Sequence, residues 1–110
     1  ADSNGNCASP FLPTSLMRKN YVINNSADWV AFSSKEPGVI EVRNAADDVI
    51  QTLNLTKGGS HPNSPYKARL ANAPAGRRFF SSVPVAAWYQ PNNDTGSSDQ
   101  DETILYGTND

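Results

Sequence analysis

The chain has one cysteine, one histidine and one methionine in 110 residues, and each scarcity removes a class of explanation. Cys7 alone cannot close an internal disulfide, so the fold must rest on core packing. In an exported protein an odd cysteine points to an intermolecular bridge or a free thiol. His61 lacks the partners that a metal site or a general base requires, and it sits in a loop next to Pro62. There is no Gly-x-Ser-x-Gly elbow and no glycine-rich phosphate loop. No apolar run approaches the roughly 18 residues of a membrane-spanning helix. Neither sign of charge dominates: nine Lys and Arg stand against eleven Asp and Glu, a net charge of -2. That balance argues against nucleic acid and anionic membrane as default partners. The adjacent basic pairs Arg18-Lys19 and Arg77-Arg78 read as solvated surface. The absence of catalytic signatures predicts a protein that is not an enzyme, and no cofactor is required of it.

What is present is a polar chain with short apolar clusters. Hydrophobic residues make up 37% and mean hydropathy is -0.56, yet the clustering favours a folded domain over a disordered one. Tyr21-Val22-Ile23, Trp29-Val30-Ala31-Phe32, Tyr66-Lys67-Ala68-Arg69-Leu70 and Arg78-Phe79-Phe80-Ser81-Ser82 read as strands between turn clusters. In Val39-Ile40-Glu41-Val42-Arg43, Ile40 and Val42 share one face, with Glu41 and Arg43 on the other. After the turn at Asn44–Asp48, Val49, Leu53 and Leu55 fall in phase, and the two segments form the clearest hairpin. Pro84 demands an edge or a bulge, whether it splits two strands or bends one. These signals predict an all-β fold: a single β-sandwich of about seven or eight mostly antiparallel strands, immunoglobulin-like or jelly-roll-like, over residues 20–110. Residues 1–19, with Pro10 and Pro13 around Phe11 and Leu12, read as an extended N-terminal arm. Such an arm can dock on a neighbouring subunit, with Cys7, Phe11 and Leu12 as its contact residues.

The segment from Asn92 to Glu102 has no apolar side chain and lies between two predicted strands. Asp94, Asp99, Asp101 and Glu102 can supply several of the six to eight oxygens that calcium takes. Asp99 and Asp101 alternate, which puts both carboxylates on one side of an extended chain. The pattern is not an EF-hand. A solvated loop that keeps a sheet edge soluble accounts for the same residues. The chain also carries three Asn-x-Ser/Thr sequons, at Asn24, Asn54 and Asn93.

The aromatic residues offer a second candidate site. Trp29, Trp88, Tyr89 and Tyr106 suit the apolar face of a sugar ring, although strand aromatics usually pack in cores. Trp88 and Tyr89 are neighbours and must point to opposite faces. Tyr89, beside the acidic segment, is the expected contact residue, with Tyr106, Asn92 and Asn93 as its companions. Trp29 and Phe32 are expected in the core.

The hairpin Val39–Arg43 with Asp48–Leu55, followed by Ser81-Ser82-Val83-Pro84-Val85-Ala86-Ala87-Trp88-Tyr89, resembles immunoglobulin-like modules of extracellular surface and adhesive proteins. The likeness covers about half of the chain and is generic; the antibody-type Cys…Trp…Cys framework is absent. It implies a structural or binding role and carries over no catalytic residue. The first expectation is therefore a secreted or cell-surface protein, its signal peptide removed, that self-associates in a fibre or matrix or binds another extracellular protein. The alternative is a small, calcium-dependent carbohydrate-binding module using the segment 92–102. Neither nucleic acid nor membrane insertion is expected.

Overall fold

A computed structural model of the chain describes residues 14–91 and 103–109. The arm residues Cys7, Phe11 and Leu12, and the segment holding Asn92, Asn93, Asp94, Asp99, Asp101 and Glu102, lie outside the described residues. Seven strands follow in chain order: β1 (Arg18–Val22), β2 (Ala27–Ser34), β3 (Gly38–Arg43), β4 (Val49–Lys57), β5 (Tyr66–Ala73), β6 (Arg78–Pro91) and β7 (Thr103–Ile104). The helical residues among those described form one 3-10 turn, Thr14–Leu16. The Arg18 guanidinium donates to the carbonyls of Ser15 at 2.6 Å and Met17 at 2.8 Å, tying that turn to β1.

The strands do not form a sandwich. β6 pairs with β2, β2 with β5, β5 with β4, β4 with β3, and β3 again with β6, all antiparallel. The sheet thus closes into a five-stranded barrel, with β1 and β7 attached to β6 from outside. This corrects the expected immunoglobulin-like or jelly-roll-like sandwich. The physical cause is the length of β6. Its first half pairs with β1 and β3, and its second half pairs with β2 and β7. One fourteen-residue strand therefore joins what two separate sheets would otherwise divide.

Pro84 lies where β6 changes neighbours. β1 pairs Asn20 with Phe80 but Arg18 with Val85, so β6 has extra residues opposite β1. A proline, with no N–H to donate, is tolerated at such a bulge. Side chains stabilise the irregular stretch. Ser81 Oγ accepts from the Val83 amide at 3.2 Å, and Ser82 Oγ accepts from the Val39 amide at 3.0 Å.

The barrel interior follows strand alternation. Val30 and Phe32 of β2, Ile40 and Val42 of β3, and Phe79, Val85, Ala87 and Tyr89 of β6 form one buried cluster. The rings of Phe32 and Phe79 meet at 5.2 Å and tilt by 55°, a favoured aromatic geometry. The β3–β4 hairpin has the expected pairing, with Ile40 and Val42 inward and fully buried. Asn44 shapes its turn: its side-chain oxygen accepts from the amides of Ala46 at 2.9 Å and Asp48 at 3.0 Å, and Asp47 adopts φ 72°. Val49 does not share the face of Leu53 and Leu55. A register shift between Val42 and Arg43 changes the phase of β4, and Val49 is 51% exposed.

β7 and the residues after it tie the far end of the chain to the start of the fold. Tyr89 pairs with Thr103 and Trp88 with Ile104, so the segment 92–102 leaves and re-enters the fold at neighbouring positions. The Leu105 amide donates to the Ala87 carbonyl at 2.9 Å, and Asn20 and Thr108 exchange backbone hydrogen bonds of 2.8 and 2.9 Å.

Candidate functional site

Of the residues expected as ligand contacts, Tyr89 and Tyr106 are among those described. Tyr89 points into the core and is 9% exposed, while Trp88 takes the opposite face. Tyr106 is 73% exposed. Trp29, expected in the core, lies on the face of β2 opposite Val30 and Phe32. Its Nε1 donates to Gln90 Oε1 at 2.8 Å. The strand alternation carries the signal for this placement, since Phe32 in the core puts Trp29 and Ala31 outside. His61 takes a turn role: Nδ1 accepts from the Asn63 amide at 3.1 Å. Among the described residues no group of three His, Cys, Asp or Glu side chains gathers to hold a metal ion. No helix among them is long and apolar enough to cross a membrane.

Alternation exposes a set of apolar residues that sequence reasoning did not single out. On β6, Phe79 is buried and Phe80 faces out at 42% exposure; on β1, Tyr21 is buried and Val22 faces out. Val39 faces out beside buried Ile40, and Val49 is the register partner of outward Arg43. The register brings these together. Phe80 lies between Asn20 of β1 and Glu41 of β3, and Arg78 lies between Val22 and Arg43. The outer face of β1, β6, β3 and β4 is therefore an apolar surface interrupted by charge. Tyr106 borders it, lining a depression of about 380 Å³ together with Val22, Phe80 and Arg78.

The charges on this face are paired with one another. Arg43 Nη2 donates to Glu41 Oε1 at 2.6 Å, and its Nη1 reaches Asp47 Oδ2 at 3.3 Å. Arg78 Nη1 lies 3.8 Å from Asp47 Oδ1. The Glu41 hydrogen bond, supported by Asp47, pushes the Arg43 pKa upward, so this guanidinium stays charged. Its carbon sits 5.8 Å from the centre of the Phe80 ring, within cation–π range. The result is an aromatic residue set among two cations and two carboxylates. Such a surface can bind a partner through apolar contact and charge together.

No protein family matches the chain, and no curated protein or solved structure is significantly similar to it.

Proposed function

We propose that the protein is a non-enzymatic extracellular association module, and that the outer face of β1, β6, β3 and β4 binds a second copy of the chain. One observation carries this reading: Val22, Val39, Val49 and Phe80 are large apolar residues exposed on a single face, with Tyr106 at its rim. Large apolar side chains exposed together on one face mark interaction sites, and aromatic residues with arginine are enriched at their centres. The charge pattern selects the partner. Glu41 and Asp47 lie among Arg43 and Arg78, so a two-fold axis through this face can set the cations of one copy against the carboxylates of the other. A partner of one charge sign would meet like charges on half of this surface. The exported, fibre-like setting rests on the polar composition, and the arm with Cys7, Phe11 and Leu12 would extend the contact to further copies.

Sedimentation equilibrium over a concentration series tests the proposal under reducing conditions, which remove any Cys7 bridge. The expected result is a mass that rises from one chain to two. The double variant Phe80→Ser with Val22→Ser removes two exposed apolar side chains and stays monomeric with an unchanged circular dichroism spectrum. A wild-type chain that remains a monomer into the millimolar range rejects the reading, as does a variant that associates like wild type.

A further inference from the structure

A second surface lies on the other half of the barrel. On the outer face of β6, β2 and β5, one register row runs Trp88, Ala31, Arg69, and the next runs Gln90, Trp29, Ala71. Ala31 is small, so the half-buried Trp29 indole and Arg69 border a hollow above it, with the buried Trp88 at its floor. The groove measures about 470 Å³ and reaches β4 at Asn54 and Thr56. It extends there because β4 and β5 pair only at Thr56 with Lys67 and Lys57 with Tyr66. Beyond those two positions β4 follows β3 while β5 follows β2, and the barrel wall has a gap.

The chemistry of the lining is specific. The hydrogen bond to Gln90 holds the Trp29 ring in one orientation. The Arg69 guanidinium carbon lies over that ring, 5.3 Å from its centre, within cation–π range. Among the described residues neither Arg69 nor Lys67 meets a carboxylate, and both line the groove as cations. A cation–π contact consumes none of the guanidinium's N–H donors, and that planar fork matches a carboxylate in bidentate geometry. Asn54 and Thr56 add neutral hydrogen-bonding groups on the opposite wall.

We infer that this groove binds an acidic saccharide, a sugar chain whose rings carry carboxylate or sulfate groups. A pyranose offers an apolar C–H face to the Trp29 indole, hydroxyls to Asn54 and Thr56, and an anion to Arg69 and Lys67. All three features of the lining are then used together. Nucleic acid also combines rings with anions, but two cations on a chain of net charge -2 do not make a phosphate-tracking surface. The site is independent of the proposed association face, which lies on the other half of the barrel. It also differs from the acidic segment 92–102.

The test titrates the full chain with an oligogalacturonate and follows tryptophan fluorescence. Parallel arms use the methyl-esterified form of the same oligosaccharide, a sulfated oligosaccharide and a single-stranded oligonucleotide. The expected result is a saturable change with the uronate or the sulfated sugar. Affinity for the neutral ester is lower by about tenfold, the size of one lost charge-assisted contact. Arg69→Gln, an exposed change that spares the fold, brings the acidic sugar down to the neutral level. Trp29→Ala removes the binding. Equal affinity for acid and ester overturns the inference, and so does undiminished binding by Arg69→Gln. Failure of every acidic sugar overturns it, and an oligonucleotide that binds more tightly than any sugar reassigns the groove.

Discussion

The Tyr21 hydroxyl donates to the Val85 carbonyl at 2.6 Å, bridging β1 to the point where β6 changes neighbours. The same oxygen accepts from the Arg18 amide at 3.2 Å. Where the bulge leaves the strands without regular pairing, one phenol supplies both a donor and an acceptor.

Tyr21→Phe deletes these bonds, together with a longer contact to the Leu16 carbonyl at 3.3 Å, and leaves the buried Val85 carbonyl without this donor. A buried acceptor left unsatisfied costs about 1–3 kcal/mol. Urea denaturation should show that loss as a lower midpoint with the slope unchanged, because the surface exposed on unfolding is the same. A variant as stable as wild type would mean that water satisfies the carbonyl equally well.

Alkaline stability depends on the same group. Burial pushes the Tyr21 pKa above 10.0, against the smaller lowering effects of the Arg18 amide and charge. In the unfolded chain the phenol ionises near 10.0, while in the folded chain it still holds its proton. The stabilisation is therefore complete below pH 10.0 and is lost as pH rises through the folded value. Thermal melts across this range should show wild type losing more stability than Tyr21→Phe, and parallel curves would remove Tyr21 as the cause.

Gly107 is required by close approach. A Cβ there would collide with the Asn20 carbonyl and sit 2.8–2.9 Å from the Tyr21 ring. Backbone and a buried ring cannot yield as a surface side chain does, so Gly107→Ala should destabilise by roughly 1–3 kcal/mol. Gly59→Ala is the control, because its Cβ meets only the Ser64 side chain. That change should stay within about 0.5 kcal/mol. Equal effects in chemical denaturation would show that the contact of residues 105–108 with β1 contributes nothing.

Strand identity was legible because alternation is local. Ile40 against Glu41, and Val42 against Arg43, place themselves whatever the sheet does next. The barrel was not legible, because Phe79 and Tyr89 point inward in a sandwich as well. Closure depends on β3 and β2 both pairing with β6, and no local pattern states this. Val49 was misplaced because a bulge reverses parity without changing composition. Trp29 differs from its expectation for another reason: residue type favours the core for an aromatic beside Val30, while Phe32 fixes the parity of β2 and puts Trp29 on the other face. The association face was missed because Phe79-Phe80 reads as one apolar cluster until the strand sends the two rings to opposite sides.

Salt separates the two forces that the association face can use. Exposed charges such as Arg78 and Asp47 are screened within about 3 Å at 1 M ionic strength, whereas apolar burial is not weakened by salt. If Phe80 and Val22 supply the affinity and the charges supply orientation, the dimer should persist in 1 M sodium chloride. It should then form more slowly, because steering is lost. Glu41→Lys should weaken it only modestly, by about tenfold or less, as expected for a partly exposed charge. Phe80→Ser should dissociate it at every salt concentration. Stopped-flow association rates with sedimentation at low and high salt read both quantities. A dimer that survives Phe80→Ser but dissolves in salt would place its affinity in the ion pairs and remove the apolar face as its basis.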